Sequence, residues 1–317
     1  MLTFDRNTEA IQIHDQEMFS FLTDLYRETN RLSGLPNEKL DERLNGILGE
    51  LIKINAEGEP FLNVKNKQHS FDLVELIAEY NDRNIDINQL IKNVFEKFNK
   101  VYLSKTDIQQ IEEKLANFDG KKCLFKFTDS KHVANILDGE VRFCSASSYK
   151  KKGYNISIRD DELNIWYKLR NLRIVNGKGD SMPVINDQIE AHAFSDYWIS
   201  CFSKNFAYKL FALFEYDSCV IISNAEEFIR IVKKQFNKDF SSSSIISNCV
   251  EYQDTTRRLK SKHPIELRKP SYYSFEEEYR FVAYPNNNDA VVTPVETIKI
   301  DPSTFEYCVL KANRKNV

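Results

Sequence analysis

Glycine and proline are scarce in this chain, nine and eight among 317 residues. So few breakers exclude a flexible linker array or a low-complexity chain. Neither G-x-x-x-x-G-K-[ST] nor G-x-G-x-x-G occurs, so the common backbone cradles for phosphate are missing. No run approaches the ~20 apolar residues that a bilayer-spanning helix needs. The opening "MLTFDRNTEAIQIHDQEMF" lacks a basic segment followed by an apolar one. No secretory leader is expected from it, and a cytoplasmic location is expected. Cysteine pairs are missing too. Cys123, Cys144, Cys201, Cys219, Cys249 and Cys308 are scattered, with no C-x-x-C, and read as reduced thiols. The histidines (His14, His69, His132, His192, His263) are equally dispersed, so no structural zinc site is expected.

What is present divides in character near residue 118. Before it, "TEAIQIHDQEMFSFLTDLYRETNRL" and "NEKLDERLNGILGELIKI" carry apolar residues at helical spacing, and "SFDLVELIAEYNDR", "DINQLIKNVFEKFNKVYL" and "SKTDIQQIEEKLANF" follow. Ser104 and Asp107 suit the start of the last helix. A turn-rich piece, "NAEGEPFLNVKNKQ", separates two helical groups. After "NFDGKK" come short aromatic and β-branched runs that read as strands: "CLFKFT", "EVRFCSAS", "YWISCFS", "LFALFEY", "SCVIIS", "EYRFVAY", "ETIKI" and "EYCVLKA". Helices are expected near 130–138 and 224–237. The expectation is an α+β protein: a helical, regulatory or partner-binding region over 1–118, then a mixed α+β domain over 119–317.

Charge divides at the same place. The first 118 residues carry about −7 and the remainder about +4. "SYKKKGY" (148–154) and "TRRLKSKHPIELRK" (256–269) are local basic clusters near Tyr149, Tyr154, Tyr252, Tyr272 and Tyr273. Solvated loops explain such clusters, and so does an anionic partner such as nucleic acid. The overall charge of −3 argues against strong nonspecific binding by the whole chain.

The stretch "SFEEEYRFVAY" (274–284) sets three adjacent glutamates before an apolar run. On one continuous strand, Glu276, Glu278 and Arg280 would share a face, opposite Phe275, Glu277, Tyr279 and Phe281. An exposed sheet edge would hold such charges cheaply. A cleft would make them functional. Two carboxylates at i and i+2 stand about 7 Å apart, one beside a reacting sugar and the other beside an incoming nucleophile. Arg280 would keep one of them ionised, and an ionised carboxylate stabilises an oxocarbenium-like transition state. Upstream, "LFKFTDSKHVANILDGEVRFCSASSY" reads strand, helix, strand. It puts Lys126 in the first strand, Ser145 and Ser147 on one face of the second, and Tyr149 two places on.

Taken in order, a basic residue on a first strand, an S-x-S-like second strand and a late E-x-E resemble the ADP-ribosyltransferase pattern. More specifically, "LFKFTDSKHVANILDGEVRFCSASSY", "YWISCFSKNFAYKLFALFEYDSCVIIS" and "YYSFEEEYRFVAY" resemble a bacterial family defined only as a domain of unknown function. That family looks distantly related to the DarT-like ADP-ribosyltransferases of toxin–antitoxin and phage-defence systems. The resemblance covers roughly residues 122–284. It implies a split-sheet transferase domain that takes NAD as substrate and modifies a macromolecule, with RNA or DNA favoured over protein and an antitoxin or other regulatory protein as partner. It implies that Glu278 bonds the nicotinamide ribose and stabilises the cation, and that Glu276 positions or deprotonates the acceptor. Lys126 would hold the adenosine ribose or a phosphate, Ser145 and Ser147 would order the strand edge, and Tyr149 would stack on the nicotinamide. Arg159 is a further candidate for the diphosphate. Trp198 and Phe202 are expected in the core. The chain departs from the family where an N-D-P-F-[DE] segment is usual. Here "KGYNISIRDDELNIWY" offers Asn155 and the acidic "RDDE" (159–162) instead.

Two other functions compete. One is a non-catalytic module that binds a nucleotide or protein, with structural carboxylates. The other is a Mg²⁺-dependent nuclease using Asp160, Asp161, Glu276 and Glu278, because hard oxygen ligands suit that ion.

Overall fold

The structure is a computed structural model that describes residues 2–5, 10–13, 16–63, 67–150, 162–168, 173–175, 179, 181–183, 188–241, 243–256, 261–285 and 292–315. Five helices occupy the first third: α1 (Gln16–Thr29), α2 (Asn37–Leu51), α3 (Lys67–Asp82), α4 (Ile87–Lys100) and α5 (Lys105–Leu115). The start of α5 is a capping box: Asp107 N donates to Ser104 Oγ, and Ser104 N donates to the Asp107 carboxylate. Two hairpins interrupt the helical pattern. Ala10–Ile13 pairs with Leu2–Asp5 where a helix was expected, and Ile52–Ile54 pairs with Pro60–Leu62 around the turn-rich piece.

The later part is built on an eight-stranded sheet, labelled here β1 (Leu124–Thr128), β2 (Glu140–Ser145), β3 (Trp198–Ser203), β4 (Ser218–Ile222), β5 (Ser243–Cys249), β6 (Glu278–Pro285), β7 (Val295–Lys299) and β8 (Tyr307–Lys311). Its main path runs β5-β6-β3-β1-β4-β8, and a second branch, β2-β7, also joins β3. The sheet forks on β3. Trp198 and Ile199 pair with β2, whereas Ser203 pairs with Phe125 of β1. The short helix α6 (Val133–Leu137) connects the two branches in sequence.

The run "LFALFEY" is not a strand. It supplies α7 (Lys209–Phe214). Leu210, Phe211, Ala212 and Leu213 are all buried, and a run that is apolar on every side carries no period to separate helix from strand. The long helix α8 (Ala225–Asp239) covers one sheet face, where Phe228, Val232 and Phe236 meet Phe143, Phe202, Phe281 and Trp198. Trp198 and Phe202 are core residues, as expected. On the other face Phe125, Phe127, Cys219 and Ile221 join a cluster that includes Leu44, Leu48, Leu76, Val94 and Ile108 from the helices. One apolar core thus crosses residue 118. Among the described residues no helix is long and apolar enough to cross a membrane. All six cysteines are free.

Candidate functional site

The glutamates of "SFEEEYRF" do not lie on one strand. Ser271–Glu276 is a 3-10 helix, and Glu277 ends it in the left-handed region at φ 42°. Its amide donates to Ser274 O, its carbonyl accepts from Lys204 N, and its side chain accepts from Asn205. The strand begins only at Glu278, whose amide donates to the Tyr252 hydroxyl at 2.8 Å. Backbone alternation is broken at Glu277, yet the corner turns Glu276 and Glu278 toward a common partner.

That partner is Lys269, held in a short parallel pair between Glu251–Gln253 and Arg268–Pro270. Lys269 Nζ lies 2.8 Å from Glu276 Oε2 and 3.8 Å from Glu162 Oε1. Arg280 occupies the next inward position of β6. Its Nε donates to Glu278 Oε1 at 2.8 Å, and its Nη1 lies 2.6 Å from Glu162 Oε2. Nη1 also donates to the Glu266 carbonyl at 2.8 Å. Of the two alternatives, the exposed edge fails here. β6 lies between β5 and β3, and Arg280 is 0% exposed, Glu276 4% and Glu278 6%. Buried charges of this kind persist only when each has a counter-charge and hydrogen bonds.

Burial alone would raise the Glu278 carboxyl, but the Arg280 guanidinium and the Lys269 ammonium outweigh it. The group is held well below the usual carboxylate range, helped by a hydrogen bond with Cys201. Burial opposes the Arg280 charge, and Glu162 and Glu278 more than restore it. The Tyr252 phenol is raised by burial and then by Glu276 and Glu278. At neutral pH the centre therefore presents an ionised carboxylate beside a neutral phenol.

Lys126 lies at the fork of the sheet. Between Ile199 and Ser203, strand β3 has no ladder partner on that side among the described residues, and Lys126 Nζ donates to the Cys201 carbonyl at 2.7 Å. It stands over the Phe202 ring, 4.9 Å from the centroid. Burial lowers its pKa, and Cys201, Cys144 and Glu278 pull the other way. Cys201 faces Arg280 across the β3–β6 ladder, so Lys126 is one strand away from the ionic centre.

Ser145 closes β2, but Ser147 falls in the 3-10 helix Ala146–Lys150, so the two do not share a strand face. They remain neighbours, with Oγ atoms 3.3 Å apart. The Asp196 carboxylate accepts from Ser147 Oγ at 2.5 Å and from Ser147 N at 3.0 Å. Tyr149 follows in the same turn, and burial holds its phenol neutral, with Cys201, Cys144 and Glu162 adding to the effect. Cys201 is thus the common neighbour: it acts electrostatically on Lys126 and Tyr149, and Glu278 acts on both Cys201 and Lys126. Arg159, Asn155, Asp160 and Asp161 lie outside the described residues. Among the described residues, no group of His, Cys, Asp and Glu is arranged to hold a metal ion.

Sequence reasoning missed Lys269 and left Glu162 without a role. Lys269 counted as one of a surface basic cluster, and it is buried. Arg268 turns inward as well, donating from Nε to His263 O at 2.6 Å. Of the described part of that cluster, only Lys262 is an exposed cation. Nothing local in "ELRKPSYY" separates a buried lysine from a solvated one. Glu162 was visible only as the end of "RDDE".

The fold and site define an α+β protein with a forked sheet and a buried centre of three glutamates, one lysine and one arginine. No protein family, curated protein or solved structure matches the chain.

Proposed function

We propose that this protein is an NAD-dependent ADP-ribosyltransferase acting on a macromolecular acceptor. The observation that carries this reading is the state of Glu278: buried, ionised and fixed by Arg280 at the start of a central strand. A fixed carboxylate in a poorly hydrated place favours a cation that develops beside it. In this reaction the bond between nicotinamide nitrogen and ribose C1′ breaks, and nicotinamide leaves with the electron pair. The acceptor nucleophile then bonds C1′ and gives up its proton. Glu278 stabilises the ribosyl cation, and Glu276 takes or directs the acceptor proton. The donor chemistry fits NAD: Lys126 offers a cation for a phosphate or ribose, Tyr149 offers a ring for nicotinamide, and Ser145 and Ser147 order the edge beside them. Arg159 is assigned to the diphosphate on the sequence resemblance alone. We place the acceptor among nucleic acids, RNA before DNA, on the positive balance of residues 119–317. A toxin-like role in phage defence, restrained by an antitoxin or other regulatory protein, belongs to the same reading.

One observation favours a second reading, a non-catalytic binding module. Both Glu278 oxygens already have cationic partners, Arg280 Nε at 2.8 Å and Lys269 Nζ at 3.2 Å, as in a centre that serves only the fold.

Nicotinamide release from NAD separates the two, measured with and without total RNA, DNA or protein. Glu278→Gln is the control, with its fold checked by circular dichroism. Release that requires RNA and vanishes in the folded variant supports the transferase. Release without acceptor makes the protein an NAD hydrolase. No release from folded wild type under any condition leaves the binding module.

A further inference from the structure

Large apolar side chains scattered singly over a surface need no explanation, whereas a contiguous stripe does. Helix α1 carries such a stripe. Met18 is 52% exposed, Phe21 62% and Leu25 37%. Their spacing of three and four residues puts them one above another on one side of the helix. The opposite side is committed to the fold. Tyr26 and Thr23 are buried, the Tyr26 hydroxyl donates to Glu79 of α3, and Arg27 Nη2 lies 3.0 Å from Asp82 at the end of α3. The stripe is therefore presented on a helix that is already anchored. It is not the unpacked remnant of an unanchored helix.

A second stripe borders the first. Glu17, Asp24 and Glu28 fall at i, i+7 and i+11 of the same helix, and all three are exposed. At about 100° per residue they line one margin of the apolar stripe. Of the three, Asp24 has a cation nearby, Arg27 Nη1 at 3.5 Å, and that pair is itself exposed. The face thus offers two turns of apolar anchor with a negative border.

We infer that the exposed face of α1 is a docking surface for an amphipathic helix whose apolar face is bordered by lysine or arginine. Two turns of anchor match helix-in-groove recognition, in which residues at i, i+3 and i+7 carry the contact. The border selects the charge of the partner, and like charge against it is penalised. That argues against two other occupants. A second copy of this chain in antiparallel register would set the acidic margins against each other. An anionic membrane surface would be repelled by the same margin. The inference is independent of the transferase reading, because the described charges of the centre, Glu162, Lys269, Glu276, Glu278 and Arg280, all lie outside α1.

The test uses the full-length protein and a fluorescent synthetic amphipathic peptide of about three turns, leucine on one face and lysine along its margin. A twin peptide carries glutamate in place of lysine. The expected result is anisotropy-detected binding of the lysine peptide that weakens with salt. Binding should fall at least about tenfold for the glutamate twin and at least about tenfold for Phe21→Ser. Phe21 is exposed, so that variant keeps its fold. Equal binding of the twins, binding unchanged by Phe21→Ser, or no binding of the lysine peptide would overturn the inference. So would a dimer in sedimentation equilibrium that Phe21→Ser dissolves, which would make a second copy the occupant. Flotation with phosphatidylserine vesicles that depends on Phe21 would assign the face to membrane instead.

Discussion

Lys269 Nζ lies 3.2 Å from Glu278 Oε2. The same nitrogen lies 2.8 Å from Glu276 Oε2, so one buried ammonium bridges the two carboxylates. Replacing Lys269 with methionine would leave those carboxylates buried against each other with one cation fewer. Removing one partner of a buried pair typically costs about 3–5 kcal/mol. Urea unfolding of Lys269→Met is expected to show a loss of that order. A loss below about 1 kcal/mol would mean that water, rather than Lys269, compensates the glutamates.

The depressed Glu278 carboxyl makes stability depend on acid. Its folded pKa lies below the ordinary value of 4.5, so in acid the unfolded chain binds this proton more readily than the folded chain does. The stabilisation is complete above the ordinary value. It fades as pH falls below that value toward the folded pKa. The stability difference between wild type and Glu278→Gln should therefore be largest near neutral pH and shrink steadily below about pH 4. A difference that stays constant down to acid unfolding would contradict the pairing with Arg280 and Lys269.

How much of this was legible beforehand differs from residue to residue. Three glutamates before an apolar run mark a conflict between charge and burial, and that conflict pointed to Glu276, Glu278 and Arg280. Their backbone was not legible. A left-handed glutamate is rare, so Glu277 gave no sign that it would end a 3-10 helix, and simple alternation put Glu276 on a strand it never joins. Lys269 was hidden because its burial depends on Glu162 and Glu276, which reach it through tertiary folding. The α+β class was readable from periodicity. The fork on β3 was not, because strand pairing is a long-range choice that "YWISCFS" does not encode alone. Ser147 follows the same rule: the strand pattern continues through "CSASS", but the chain turns into a 3-10 helix after Ser145.

Two buried lysines predict behaviour at the alkaline end. Burial lowers Lys97 to about 8, aided by Lys100 and opposed by Glu215. Lys209 is likewise lowered to about 8, chiefly by burial, while its ammonium donates to the Gly49 carbonyl at the end of α2. Between about 8 and the ordinary 10.5, the unfolded chain holds a proton at each site that the folded chain has released. Stability from these sites therefore rises with pH across that window. The wild-type stability minus that of Lys97→Met should climb by up to about 3 kcal/mol from neutral pH to pH ~10. A flat difference would show that Lys97 stays charged in the folded protein.

Helix α2 touches the glutamate corner through two glycines, and that contact yields a test with a sign. A methyl added at Gly49 would stand 2.6 Å from Phe275 Cε1, and one at Gly46 would stand 2.5 Å from the Tyr272 carbonyl oxygen. Both lie within α2, where alanine would ordinarily gain about 1 kcal/mol over glycine. Overpacking costs about 1–3 kcal/mol, and the two glycines differ in what can give way. The Phe275 ring can tilt, so Gly49→Ala should lose about 1 kcal/mol net. The Tyr272 carbonyl belongs to the backbone that leads to Glu276, so Gly46→Ala should lose about 2 kcal/mol or more and loosen residues 271–278 in hydrogen exchange. Gly120, where an added methyl meets nothing within 4 Å, is the control, and Gly120→Ala should stay within about 0.5 kcal/mol of wild type. If Gly46→Ala were as stable as the Gly120 variant, with unchanged exchange at 271–278, α2 would not be what holds the corner in place. Lys269 and Tyr252 would then hold it from the other side.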